Sequence, residues 1–89
     1  MQDIDEHRKK IATRLARIEG QVRGVKSLVE QGADCEAIAV QMTAVRRALD
    51  RAFYAMLACS LLDDIERAGS AREIRKSTDE FTRLLVKLA

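Results

Sequence analysis

Apolar residues along this chain recur in steps of three and four. Ile11, Leu15, Ile18, Val22, Val25 and Val29 make the first such series, the seam of a helix packed along its length against other helices. Asp3, with Glu6 three positions on, predicts its N-cap and reciprocal partner, and Gly32 its stop. A second, longer series runs Ile38, Met42, Val45, Leu49, Ala52, Met56, Cys59, and Phe53, Leu57, Leu61 and Ile65 widen its apolar face over the second half. Asp34 supplies the N-cap, and the helix is expected to run to just before Gly69. About thirty residues at a rise of 1.5 Å make a rod about 45 Å long. One small subunit cannot cover such a rod on two faces, so it is predicted to be the spine of an oligomer. "SARE" at 70–73 is a capping box, Ser70 with Glu73, and opens a third helix carrying Ile74, Thr78, Phe81, Leu85 and Leu88. No segment alternates with the period of a strand, and no internal repeat interrupts the pattern. The expected fold class is all-α: a three-helix subunit with a long central helix, residues 1–89 forming a single domain.

Composition narrows the class. With 47% hydrophobic and 34% charged residues, no proline and four glycines in 89 residues, the chain reads as folded helix rather than disorder. No apolar run approaches the roughly 20 residues that span a bilayer, and the charged start MQDIDEHRKK is unlike a secretory signal. Two cysteines are too few for a disulfide scaffold. A cytoplasmic protein with reduced thiols and no membrane partner is expected.

The net charge of +2 hides an uneven distribution. Residues 8–26 hold Arg8, Lys9, Lys10, Arg14, Arg17, Arg23 and Lys26 against the single acid Glu19. Residues 30–66 hold seven acids, yet Arg46, Arg47 and Arg51 cluster among them. Such a block is either a solvated helix face or a nucleic-acid footprint.

Cys35, in "GADCEAIAV" (32–40), is the first helical residue if Asp34 is the cap. There the unpaired backbone N–H groups and the helix dipole favour a thiolate, with Glu36 opposing them. The competing reading is a small structural residue. Cys59 lies on the same helix 24 residues later, about 36 Å along the axis, so the two sulfurs cannot meet within one subunit. If two copies of the helix pack antiparallel about a two-fold axis and cross near Arg47, Cys35 approaches Cys59 or Ser60 of the partner subunit. The alternative for Cys59 is a small core residue beside Met56 and Leu62. The only histidine, His7, is expected on the surface, and the pair Asp63 and Asp64 is expected to face solvent. No metal-ligand cluster, glycine-rich phosphate loop or Ser/His/Asp set is present, and no histidine adjoins a cysteine. Neither an enzyme nor a bound cofactor or metal is expected.

The segments "RLARIEGQVRGV" (14–25), "DCEAI" (34–38) and "QMTAVRRAL" (41–49) resemble the family of small bacterial repressors that includes copper-sensing CsoR, nickel/cobalt-sensing RcnR and formaldehyde-sensing FrmR. The resemblance covers nearly the whole chain. It implies an antiparallel dimer built on the second helix, a dimer-of-dimers tetramer, and double-stranded operator DNA held by basic surfaces of the first two helices. It implies DNA-contacting roles for Arg14, Arg17 and Arg51, which decides the charge pattern in favour of nucleic acid, and Arg46 and Arg47 of the same cluster are expected to contact phosphates as well. A small effector at the dimer interface then releases the DNA, and the resemblance places the effector-binding cysteine at Cys35. The positions matching its usual partners are Ser60 and Asp64, and Glu80 matches a glutamate that couples site to DNA release in copper sensors. A hydroxyl and a carboxylate are poor substitutes for imidazole and thiolate. The formaldehyde sensors' N-terminal proline is replaced by Met1-Gln2, and Cys59 lies five residues before the second cysteine of persulfide-sensing relatives. The expected function is therefore a homotetrameric repressor whose effector acts on Cys35 by thiol chemistry, as reactive sulfur, aldehyde or another electrophile. The alternative is a sensor of copper or of nickel and cobalt with an altered ligand set.

Overall fold

The computed structural model describes residues 4–89. Three helices follow one another: α1 (Ile4–Glu30), α2 (Cys35–Arg67) and α3 (Ala71–Leu88). The Asp3 cap expected for α1 and the Met1-Gln2 start lie outside the described residues. Among the described residues there is no strand, and no helix is long and apolar enough to cross a membrane.

Local chemistry accounts for each boundary. Gly32 adopts φ 72°, a left-handed conformation favouring glycine, and ends α1. Its N–H donates to the Val29 carbonyl at 3.1 Å, and the Ala33 N–H donates to Leu28 at 3.0 Å. These two bonds make the Schellman pattern that satisfies the last carbonyls. Asp34 caps α2: its Oδ2 accepts from the Ala37 N–H at 3.4 Å. At α3, the Ser70 Oγ accepts from the Glu73 N–H at 3.2 Å. The reciprocal half of the box is displaced by one residue, because the Glu73 carboxylate accepts from the N–H of Gly69, not of Ser70. Ser70→Ala is expected to cost about 1 kcal/mol, lowering the melting temperature by about 4–8 °C at fixed protein concentration. Thermal melts followed by circular dichroism would measure it.

The chain divides into two compact units, the first ending at Met56 and the second spanning Leu57–Ala89. In the first unit, α1 and the opening half of α2 form an antiparallel hairpin. Val25 and Val45 line one stretch of their seam, Ile18 and Ala48 the next, and Ile11 and Ala52 the last. The second unit holds the rest of α2 and α3. Here Asp63 and Asp64, expected to face solvent, are both half-buried. Asp63 accepts from the Arg67 Nε at 3.1 Å, one helical turn on. His7 is also half-buried rather than exposed, since it precedes the buried Ile11 by one turn and shares its face.

The heptad seams split in a way that periodicity alone does not reveal. On α1, Ile11 and Ile18 are buried and Val25 half-buried, whereas Leu15, Val22 and Val29 are exposed. On α2, Ala52 and Cys59 are buried and Ile38 and Val45 half-buried, whereas Met42, Leu49 and Met56 are exposed. Each seam thus consists of two parallel lines with a spacing of seven, one turned into the subunit and one turned out. Among the described residues only Ile11, Ile18, Ala52 and Cys59 are buried apolar residues, and fifteen large hydrophobics are exposed.

Candidate nucleic-acid interface and sensing cysteine

The hairpin brings Arg14 and Arg17 of α1 and Arg51 of α2 to one groove of about 290 Å³, together with Ile18, Gln21 and Ala48. Arg14 and Arg17 lie three apart on one helix face, and the antiparallel return of α2 sets Arg51 opposite them. Arg23 and Lys26, farther along α1, are occupied by Glu19 at 3.8 Å and Glu30 at 3.9 Å, each one turn away. Among the described residues no ion pair involves Arg14, Arg17 or Arg51. Three guanidinium groups lining one cleft without a carboxylate partner create a local positive potential suited to phosphate. Arg46 and Arg47 are exposed and do not line this groove. Gln21 gives no charge signal in the sequence, although its place seven residues after Arg14 puts it on the same face.

Cys35 opens α2 and its thiol is exposed. Seven-residue steps carry its line through Met42, Leu49 and Met56, the outward apolar line of α2. Cys59 belongs to the inward line with Ile38, Val45 and Ala52, and is only 1% exposed. That placement gives Cys59 the character of a small core residue and sets it apart from Cys35. Ser60 is half-buried, one turn beyond Met56. In the second unit, Asp64 and Glu80 line one groove of about 300 Å³, which also receives Arg67, Glu73 and Lys76. Two residues expected at the effector site are therefore brought together there. Among the described residues of one subunit, no three His, Cys, Asp or Glu side chains converge as a metal cluster would.

Residues 7–87 match the sequence profile of the metal-sensitive transcriptional repressors. The chain belongs to that family. As a member of the metal-sensitive repressor family, it is 44% identical over 54 residues to the copper-sensing transcriptional repressor CsoR of Bacillus subtilis (strain 168), an overlap of 61% of this chain and 48% of that protein. The matched stretch thus spans about half the length of that curated relative. Solved structures of other repressors superpose closely. The nickel-responsive transcriptional regulator InrS shares 34% sequence identity with a TM-score of 0.77, covering 91% of each chain. A variant of the formaldehyde-responsive regulator FrmR from Salmonella enterica serovar Typhimurium shares 30%, with a TM-score of 0.77 and coverage of 94% of this chain and 96% of that one. The family that residues 7–87 match is one of transcriptional repressors.

Proposed function

We propose that this chain represses transcription by holding operator DNA along the α1–α2 hairpin and releasing it when a small effector acts at Cys35. The observation that carries the reading is the groove in which Arg14, Arg17 and Arg51 converge without an acidic partner. Phosphate contacts by such side chains release condensed counterions, so affinity falls steeply as salt rises. Residues 1–89 act as one repressor module in the cytoplasm, assembled as an antiparallel dimer and then a dimer of dimers. The exposed lines Leu15–Val22–Val29 and Met42–Leu49–Met56 are the apolar surface that the partner subunit covers.

Arg14→Ala and Arg51→Ala test the groove. Each is expected to weaken operator binding while keeping helicity and sedimentation behaviour, and to reduce the slope of log K against log salt by about one for each phosphate no longer neutralised. Parent-like affinity and slope in both variants at matched salt would place the footprint elsewhere. Arg46→Ala and Arg47→Ala, outside the groove, are expected to change affinity less.

At the effector site, Cys35 supplies an exposed thiol at a helix N-terminus on the face that turns towards the partner. Thiol chemistry with reactive sulfur, an aldehyde or another electrophile is the effector class this placement supports. Cys59, buried in its own subunit, reacts only where its surroundings open, and a resolving role for it is secondary. Metal sensing is the second reading, favoured by the family's description and by the copper and nickel named for two relatives. The donors that a partner subunit would bring to Cys35 in that reading are its Ser60 and Asp64, and within one subunit Glu80 lines a groove with Asp64. Oxygen donors of this kind do not fit Cu(I), which selects thiolate and thioether, and they make a weak site for Ni(II).

A further inference from the structure

The arginine groove does not end at Gln21. The same side chain lines a second groove of about 310 Å³ that continues along the hairpin seam between Gly24 on α1 and Gln41 and Ala44 on α2. Its polar side chains are two carboxamides, Gln21 and Gln41. Among the described residues neither makes a side-chain hydrogen bond. No positively charged side chain lines this stretch.

The glycines beside it are not required by the subunit. Gly20 and Gly24 lie in the interior of α1, where glycine is less stable than alanine. A Cβ built on either would meet nothing within 4 Å. Internal packing therefore does not demand their lack of a side chain, and the space beside Gly24 is open to a partner from outside the subunit. The outward apolar line Leu15–Val22–Val29 occupies the opposite shoulder of α1 from Arg17, Gln21 and Gly24, so a second copy seated on that line would not reach Gly24.

We infer that the DNA backbone runs past the arginines and along this second groove, with Gln21 and Gln41 donating neutral hydrogen bonds to phosphate oxygens and Gly24 allowing the strand to approach α1. The inference rests on the operator-binding reading of the arginine groove, and the continuity of the two grooves through Gln21 carries it. From Arg14 to Gly24 the helix rises about 15 Å, which matches about four phosphates of one strand at 3.4 Å along the DNA axis. Base reading is not asked of these residues; they fix the register of the duplex on the hairpin.

The test uses the full chain and a fluorescein-labelled operator duplex selected from a random library with the parent protein. Gln21→Ala and Gln41→Ala are expected to weaken binding about 2- to 10-fold each. Their salt slope should be unchanged, because a neutral donor releases no counterion. Gly24→Ala is expected to raise the melting temperature by about 4–8 °C while weakening operator binding, with the sedimentation profile of the parent. Arg14→Ala serves as the control on the underlying reading. If it weakens binding and lowers the slope while the Gln21, Gln41 and Gly24 variants bind like the parent, the second groove is no DNA contact and this inference alone falls. If Arg14→Ala also binds like the parent, the operator-binding reading falls with it. A Gly24→Ala protein that loses its oligomeric state together with its DNA would mean that a second copy covers the glycine face, and that too overturns the inference.

Discussion

Cys35→Ala protein is expected to bind operator DNA as the parent does and to stay bound when the effector is added. The thiol is exposed at the first residue of α2, away from the arginine groove, so removing it takes nothing from the DNA contacts. What it removes is the differential free energy by which an effector favours the DNA-free state. Such couplings are typically about 1–3 kcal/mol, a change of roughly 5- to 150-fold in affinity. Parent protein treated with polysulfide, formaldehyde or a small electrophile should lose operator affinity on that scale. The alanine variant should lose none, and Cys59→Ala should still respond. Intact-mass analysis would place the added mass on Cys35. Release of DNA by parent protein whose Cys35 remains unmodified would end the thiol reading. Stoichiometric binding of Cu(I) or Ni(II) that itself controls operator affinity would replace it with the metal-sensing one.

Leu49→Glu is expected to have the broadest effect of any single substitution here. Leu49 is 49% exposed in the isolated subunit and sits midway along the outward line of α2, between Met42 and Met56. Covering the exposed half of such a side chain contributes about 0.7–1.5 kcal/mol, and a two-fold interface counts every substitution twice. A carboxylate in its place must either be desolvated or keep the interface open. Sedimentation equilibrium should shift from an assembly of at least two subunits towards a 10 kDa species. Operator binding should fall at least about 100-fold, because linked footprints act through effective concentration. Parent-like sedimentation of the Leu49→Glu protein, with helicity retained, would show that the outward line is not the interface.

The three helices are legible in the sequence because their ends carry explicit chemistry. Gly32 stops α1 in the expected left-handed conformation, Asp34 caps α2, and Ser70 with Glu73 caps α3. The division of each seam into inward and outward lines is not legible. Ile11 and Leu15 differ little in hydropathy, and so do Val45 and Leu49; only the neighbour each meets in space distinguishes them. Seven-residue steps in the sequence already put Cys35 and Cys59 on different lines, but only burial shows that the line of Cys59 is the inward one. The arginine groove is half legible: Arg14 and Arg17 share a helix face, but Arg51 joins them only through the return of the hairpin. Gln21 stays hidden because a neutral amide adds nothing to a charge pattern. Asp63 misleads in another way: carboxylates near a helix end usually face solvent, and its bond to Arg67 shows only in space.

Between Cys35 and Arg67, α2 contains neither glycine nor proline, and it forms one uninterrupted helix. Sharp kinks in helices need such residues, a bulge or an inserted group. Mechanically α2 is a shaft, with Cys35, the proposed sensing residue, at one end and Arg51 about 24 Å along it. A torque applied at the cysteine has no joint in which to dissipate. At a side-chain radius of about 5 Å, turning the shaft by about 20° carries the Arg51 guanidinium nearly 2 Å across the groove floor, away from the register set by Arg14 and Arg17.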